Sequence, residues 1–264
     1  MSLPEVLSLP AAPPATPPAT IVAGRYEVRF ARTADELDRI LRLRYEVFNL
    51  ELNEGLDGSA LSGRDKDAFD QRFHHLLIAE RPSGTVVGTY RMQTAEMAAE
   101  HGYYSAGLFE LTTLPDAVRR SAVEIGRACV AKPHRNGRVL HLLWRGLAAY
   151  LTWNRKTMLF GCCSLTTQDE ALGLAVHRHL EKHGHVHPRI RVDPRPDHSC
   201  SGEDRSLLAA QGSTRLPALF QAYLTLGARA LGRPAVDREF KTIDWIVLLD
   251  TAELPALVRR SMFG

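Results

Sequence analysis

The sequence predicts an α+β fold, a mixed β-sheet covered by helices on both faces. Two observations carry this. Early apolar runs lie close together across a short Pro82-Ser-Gly84 turn, the pattern of a hairpin. Later apolar runs alternate with segments of helical periodicity, which brings crossover helices into the same sheet. No internal repeat of fixed period is visible. With 264 residues, 45% hydrophobic and 24% charged, the chain has ample material for one large core.

The elements follow in order. Residues 1–24 are rich in Pro and Ala, with Pro13-Pro14 and Pro17-Pro18 pairs, and are expected to form a disordered, extended tail outside the fold. Residues 25–264 are expected to form a single domain. Tyr26 to Arg32 alternates as a strand. Thr33 then caps a helix, and Glu36 completes a capping box. Leu37, Ile40, Leu41, Tyr45 and Phe48 give that helix an apolar stripe. Residues 49–66 read as a long loop. Phe73 to Glu80 and Thr85 to Met92 form the hairpin, and residues 94–120 read as short helices and turns. Ala122 to Val130 is the central strand. A strong helix spans Gly137 to Asn154, with Leu140, Leu143, Leu147 and Leu151 on one side. A buried strand from Thr157 to Ser164 and a helix from Gln168 to His183 follow. Residues 184–215 read as irregular, 217–230 as a helix, Trp245 to Leu249 as a strand, and the terminus as a short helix.

Composition narrows the function classes. A net charge of +3 is too small to point to nucleic acid. The four cysteines show no CxxC spacing and read as buried free thiols. No signal segment opens the chain, and no apolar run approaches the roughly 20 residues of a membrane span. A cytoplasmic protein is expected, with contact at a membrane surface left open.

Charge inside the central strand is the most informative feature. Glu124 and Arg127 stand three apart in an apolar run, where a charge is costly unless paired or used. They form either a structural ion pair or part of an active site. In a flat strand they face opposite sides; a bulge, which Gly126 would favour, could bring them together. Asp67 and Asp70 are either a solvated acidic turn or a carboxylate pair that meets Arg44, Arg91 or Arg127. The basic loop from Val130 to Arg138 joins strand to helix and suits a phosphate, although it lacks the P-loop pattern. His177, His179, His183, His185 and His187 have no HExxH spacing and read as a solvated helix end, so no metal is expected. Ser105 and Ser164 lack a GxSxG context.

In order, Arg44-Tyr-Glu-Val-Phe48, Asp67-x-x-Asp70, Gly88-Thr-Tyr-Arg91 and Glu124-x-x-Arg127 resemble the signature of acyl-homoserine-lactone synthases, acyltransferases of the GNAT superfamily. The chain is more similar to ornithine N-acyltransferases, which make lyso-ornithine lipid. That similarity runs through His75-Leu-Leu-Ile78, Gly102-Tyr-Tyr-Ser105, Glu124 to Val130, Leu142-Leu-Trp144, Phe160-Gly-Cys-Cys-Ser164, Leu216-Pro-Ala-Leu219, Tyr223 to Gly227 and Asp237-Arg-Glu-Phe240. It covers about residues 26–262. The acetyl-CoA pyrophosphate loop of ordinary GNAT enzymes is not intact after Arg135, which fits a carrier-protein donor.

The resemblance implies a GNAT-like fold and an N-acyltransferase. It would move a long-chain, 3-hydroxy fatty acyl group from acyl carrier protein to the α-amine of ornithine. The alternatives are another N-acyl amino acid synthase or an acyl-homoserine-lactone synthase; a non-catalytic carrier-binding module is the reading from a different class. No cofactor is implied beyond the phosphopantetheine of the donor, which acts as substrate. The expected partners are acyl carrier protein, a small amino acid and membrane lipid touched peripherally at the inner membrane. Glu124 is expected to be the base, with Arg91 and Arg127 also catalytic. Arg44, Phe48, Asp67 and Asp70 are expected to hold substrate, and Lys132, Arg135 and Arg138 the donor. Asp67, Asp70 or Glu51 would face the second amine of ornithine. Phe48, Trp144 and leucines of the 137–154 helix are expected to line an acyl tunnel, unless they merely fill the core.

Overall fold

The computed structural model describes residues 16–201 and 216–264. Its strands are β1 (Ile21–Ala23), β2 (Tyr26–Phe30), β3 (His74–Glu80), β4 (Val86–Thr94), β5 (Ala122–Val130), β6 (Met158–Leu165), β7 (Arg229–Ala230), β8 (Ala235–Asp237) and β9 (Thr242–Asp250). Its helices are α1 (Ala34–Arg44), α2 (Ser59–Ser62), α3 (Ala95–His101), α4 (Asp116–Ser121), α5 (Arg138–Trp153), α6 (Glu170–Lys182), α7 (Ala218–Thr225) and α8 (Ala256–Phe263).

All strands join one mixed sheet in the order β1-β2-β3-β4-β5-β6-β9-β7, with β8 also on β9. β1 to β5 form an antiparallel meander, α5 crosses over so that β6 runs parallel to β5, and β9 returns antiparallel to β6. The largest core lies between one face and the helices α5, α6, α7 and α8. The opposite face is covered by α1 and its extension, and by the 103–118 and 190s segments. The α+β class and the two covered faces are as expected.

Local chemistry places the elements. Thr33 Oγ1 accepts from the Glu36 N–H while the Glu36 carboxylate accepts from the Thr33 N–H, so α1 starts where the capping box predicts. α1 then widens into a π-helical turn, Tyr45–Glu51, within the expected helix and its first loop residues. The β3–β4 hairpin forms around Gly84, whose φ of +68° suits a residue without Cβ.

Three boundaries differ from the expectation. Ile21–Ala23 pairs with β2, so the sheet begins inside the segment assigned to the tail; residues 1–15 lie outside the described residues. The helix expected over 217–230 stops at Thr225, because Gly227 adopts φ +95° and the chain turns into β7. The last strand starts at Thr242, three residues earlier than expected.

β5 and β6 part company. Their ladder holds only Ala122↔Met158, Val123↔Leu159 and Glu124↔Phe160. Beyond it β5 stays with β4 as far as Val130, and β6 stays with β9 as far as Leu165. The strands therefore diverge as a fork. Gly161 sits at its apex, where a Cβ would stand 2.1 Å from the Ile125 carbonyl oxygen. On its other edge β5 bulges: Arg91 faces Gly126 and Thr89 faces Cys129, so two residues of β5 oppose Tyr90 alone. The bulge is present as anticipated, but the residue with positive φ is Arg127 (+50°), not Gly126. A long side chain persists in that region only when its surroundings fix it.

Candidate active site

Those surroundings are a buried lattice of charge. Arg44 and Arg91 are almost fully buried, as are Asp65 and Asp70. Arg44 donates from Nε to Asp65 (2.8 Å) and from Nη1 to Asp70 (2.5 Å). Arg91 Nη1 donates to both oxygens of Asp67 (2.8 and 2.7 Å) and to Asp70 (3.1 Å). Arg127 reaches Asp67 at 3.3 Å, and its Nε lies 3.4 Å from Asp65. Rings close the lattice: the Arg127 guanidinium lies 4.0 Å from the Phe240 centroid and that of Arg91 4.8 Å from Tyr104. Burial pushes the Asp70 carboxyl up, but Arg44 and Arg91 outweigh it and hold the pKa well below the usual range. Thus Arg44, Asp67, Asp70, Arg91 and Arg127 come together as their motifs suggested. The solvated-turn alternative for the two aspartates fails, and Asp65 is a member that sequence reasoning passed over.

Glu124 stands apart from this lattice. Its Oε2 accepts from Gln93 Nε2 (2.7 Å) and the Tyr104 N–H (3.0 Å). Its Oε1 accepts from the Ser105 N–H (2.8 Å) and Ser105 Oγ (2.5 Å). Among the described residues no ion pair joins Glu124 to Arg127. Tyr104 links them instead, because its hydroxyl accepts from Arg127 Nη1 at 3.2 Å. With two donors on each oxygen, Glu124 has little lone-pair capacity left for a substrate proton. The expectation that it acts as the base meets that geometric objection.

A cavity of about 260 Å³ runs through the fork. Its lining comes from both faces of the sheet. Tyr104, Arg91, Arg127, Glu124, Ser164 and Asp244 belong to one end. Leu159, Leu219, Phe220, Tyr223, Val247 and Leu249 belong to the other, against α7. Phe48 lines it from the π-helical turn and packs edge-on to Phe240 at 5.4 Å. Trp144 and the α5 leucines do not line it; they pack in the core between α5 and the sheet, so the expected tunnel wall comes from α7 instead.

Among the described residues three lining carboxylates pair with no arginine or lysine: Glu54, Glu124 and Asp244. Glu54 accepts from Thr166 Oγ1, and burial raises its pKa. Asp244 is 3% exposed, and among the described residues its Oδ1 has no hydrogen-bond partner. Burial, then the charge of Asp237, push it up to about 7, while Ser164, Thr242 and Arg127 pull the other way. Asp244 was missed although its signal matched that of Glu124, a carboxylate in an apolar strand; the expected strand simply began one residue too late.

The remaining residues are placed as follows. Lys132, Arg135 and Arg138 are exposed on the loop that leaves β5 at the open end of the fork. Arg135 holds Glu51 through Nη2 at 2.8 Å and donates from Nε to the Val130 carbonyl, and Arg138 reaches the Ala23 carbonyl at 3.5 Å. The Glu51 pKa is lowered by that arginine. Glu51, Asp67 and Asp70, the acids considered for a second amine, are therefore all held by arginines. Cys162 and Cys163 are free thiols on the cavity wall, and burial raises both pKa values. Among the described residues no group of His, Cys, Asp or Glu is arranged to hold a metal ion.

The chain is similar to known acyltransferases. The family model described as "Acetyltransferase (GNAT) domain" matches residues 43–145. The L-ornithine N(alpha)-acyltransferase of Rhodobacter capsulatus is 36% identical over 246 residues, which are 86% of this chain and 90% of that protein. The enzyme of the same name from Agrobacterium fabrum is 31% identical, covering 88% and 83%. Among solved structures, an N-acyl amino acid synthase from uncultured soil microbes superposes with a TM-score of 0.53 at 11% identity, covering 89% of this chain and 98% of that one. The chain is an acyltransferase and belongs to the family of the L-ornithine N(alpha)-acyltransferases.

Proposed function

We propose that the protein transfers a long-chain, 3-hydroxy fatty acyl group from acyl carrier protein to the α-amine of ornithine. One observation carries this reading: the cavity threads the β5–β6 fork, apolar at the α7 end and lined at the other by carboxylates and two arginines. An acyl chain fits the first end, and a cationic amino acid fits the second.

The fork supplies the thioester site. Beyond Glu124 no ladder joins β5 to β6, so backbone groups along that edge are open to an extended donor arm, as in strand addition. Backbone N–H groups there suit the amides of the phosphopantetheine and the oxyanion of the tetrahedral intermediate. The exposed Lys132–Arg138 loop lies where such an arm would enter and offers positive charge to an acidic carrier. The thiolate leaving group needs little help, because a thiol pKa is about 8.5. Fixing amine and thioester in line supplies much of the acceleration.

The arginine–aspartate lattice is a positioning device. It holds Arg127 in its unusual backbone conformation and sets the bulge that shapes one wall. Arg91 and Arg127 reach the cavity, where the acceptor carboxylate would meet them. Glu124 pins the Tyr104–Ser105 turn against the fork. Glu54 faces the same space and suits the second ammonium.

The product is an amphiphile. Leu52 lines the cavity and is 37% exposed, while Leu50 and Leu61 on the same segment are largely exposed. That edge gives a single chain a route to lipid, at the cytoplasmic face of the inner membrane. Among the described residues no helix is long and apolar enough to cross a membrane.

The donor is tested by kinetics. Catalytic efficiency with acyl carrier protein should exceed that with free acyl-CoA, and should fall as salt rises. Equal efficiency with acyl-CoA, insensitive to ionic strength, would refute the carrier-protein reading.

A further inference from the structure

We propose that Asp244 is the general base of acyl transfer, taking the proton from the acceptor's attacking ammonium. The proposal rests on the acyltransferase reading above. Asp244 projects from β9 opposite Ser164 of β6, on the acidic side of the fork cavity. Its carboxylate is buried beside the Ser164 and Thr242 hydroxyls, and among the described residues its Oδ1 has no hydrogen-bond partner. A buried acceptor left open is costly in a resting fold, and a substrate N–H is the natural group to fill it.

The alternatives are occupied, off the cavity or, for Glu54, already bonded to Thr166 and assigned to the second ammonium. Glu124 already receives four donors. Asp65, Asp67 and Asp70 are paired with the three arginines and do not line the cavity, although Asp65 Oδ2, like Asp244 Oδ1, has no hydrogen-bond partner among the described residues. Asp237 accepts the Phe240 N–H through Oδ1 (2.7 Å) and the Tyr104 hydroxyl through Oδ2 (3.4 Å).

The surroundings also suit the proton transfer. The register places Ala235 opposite Asp244 and Asp237 opposite Thr242, so the two carboxylates are diagonal neighbours on one face. The titratable and charged groups that bear on Asp244 are Asp237 of β8, Arg127 of β5, the thiols of Cys162 and Cys163 on β6, and Cys200. Burial and Asp237 keep its affinity for a proton near neutrality, where a base works best.

The step balances as follows. Asp244 takes one proton from the ammonium, giving a neutral amine and a carboxylic acid. The amine attacks the thioester carbonyl, and a C–N bond forms. The C–S bond breaks, and the thiolate takes the second proton of the nitrogen to leave as a thiol. Asp244 then releases its proton to solvent.

The test uses the full chain with ornithine and acyl carrier protein. Asp244→Asn should lower kcat by about 10²- to 10⁴-fold with little change in the KM for ornithine. The acid limb of the wild-type kcat profile, expected near pH 7, should move to lower pH in Asp237→Asn, whatever the fate of the first variant. Near-wild-type kcat in a folded Asp244→Asn, or a loss confined to KM, would overturn the proposal. So would an acid limb unmoved by Asp237→Asn. A wild type that makes no acyl-ornithine would instead refute the acceptor assignment, and the proposal would fall with it.

Discussion

Replacing Glu124 by Gln separates a positioning role from a chemical one. The carboxylate receives two donors on each oxygen: Gln93 Nε2 and the Tyr104 N–H on one, the Ser105 N–H and Oγ on the other. A glutamine must turn its NH₂ toward one of those pairs. Against Ser105, the hydroxyl can rotate to accept, but the backbone N–H loses its acceptor. Against the other pair, the Tyr104 N–H is orphaned, and Gln93 cannot invert its amide without abandoning the Gly102 carbonyl it also serves. At least one buried donor is left unpaired, at a cost of about 1–3 kcal/mol. At about 2–4 °C per kcal/mol for a domain near this size, Tm should fall by roughly 2–12 °C. Scanning calorimetry of both proteins at pH 7.5 measures it. A variant that melts with the wild type yet has lost turnover would refute the clamp and restore Glu124 as the base.

Arg44→Ala removes the shared partner of Asp65 and Asp70, and breaking such a buried pair should cost about 3–5 kcal/mol in urea unfolding. Acid should destabilise the fold in two windows. Burial pushes the His75 imidazole down to about 4, below its unfolded value near 6.5, so its contribution is complete above pH 6.5 and lost as pH falls toward 4. Asp70, held below the carboxylate range by Arg44 and Arg91, adds a further loss below about pH 4; because the raised Asp244 carboxyl opposes His75 between pH 7 and 4, the slope is compared with that of His75→Gln, and a slope unchanged in that variant would contradict the His75 part. Leu219→Trp, on the α7 wall, should shift preference toward shorter acyl chains with the KM for ornithine unchanged. Unaltered chain-length preference would show that the acyl group lies elsewhere.

Much of the fold was legible because local rules and tertiary context agree. The Thr33 capping box, the Gly84 turn and the continuous apolar runs of β3 and β5 each act within a few residues. The lattice was half legible: charged residues in apolar runs need partners, and Arg44, Asp67, Asp70, Arg91 and Arg127 found one another. Which carboxylate stays free was not legible. That depends on Tyr104 and Ser105 folding over Glu124, and on the distant Asp237 approaching Asp244 through β8. The acyl wall was misplaced for a similar reason. α5 and α7 both carry apolar residues, and only the fork determines which of them faces the cavity. β1 was lost in Pro-rich composition, and its pairing with β2 is a tertiary event.

Above all, the fork should join a long acyl chain to the α-amine of ornithine. Mass spectrometry of lipids from a heterologous host expressing the chain tests it most directly. A new lipid is expected with the mass of a 3-hydroxyacyl-ornithine, whose fragmentation places the amide on the α-nitrogen and leaves the δ-amine free. An acyl-homoserine lactone, or an extract unchanged from the control, would contradict it.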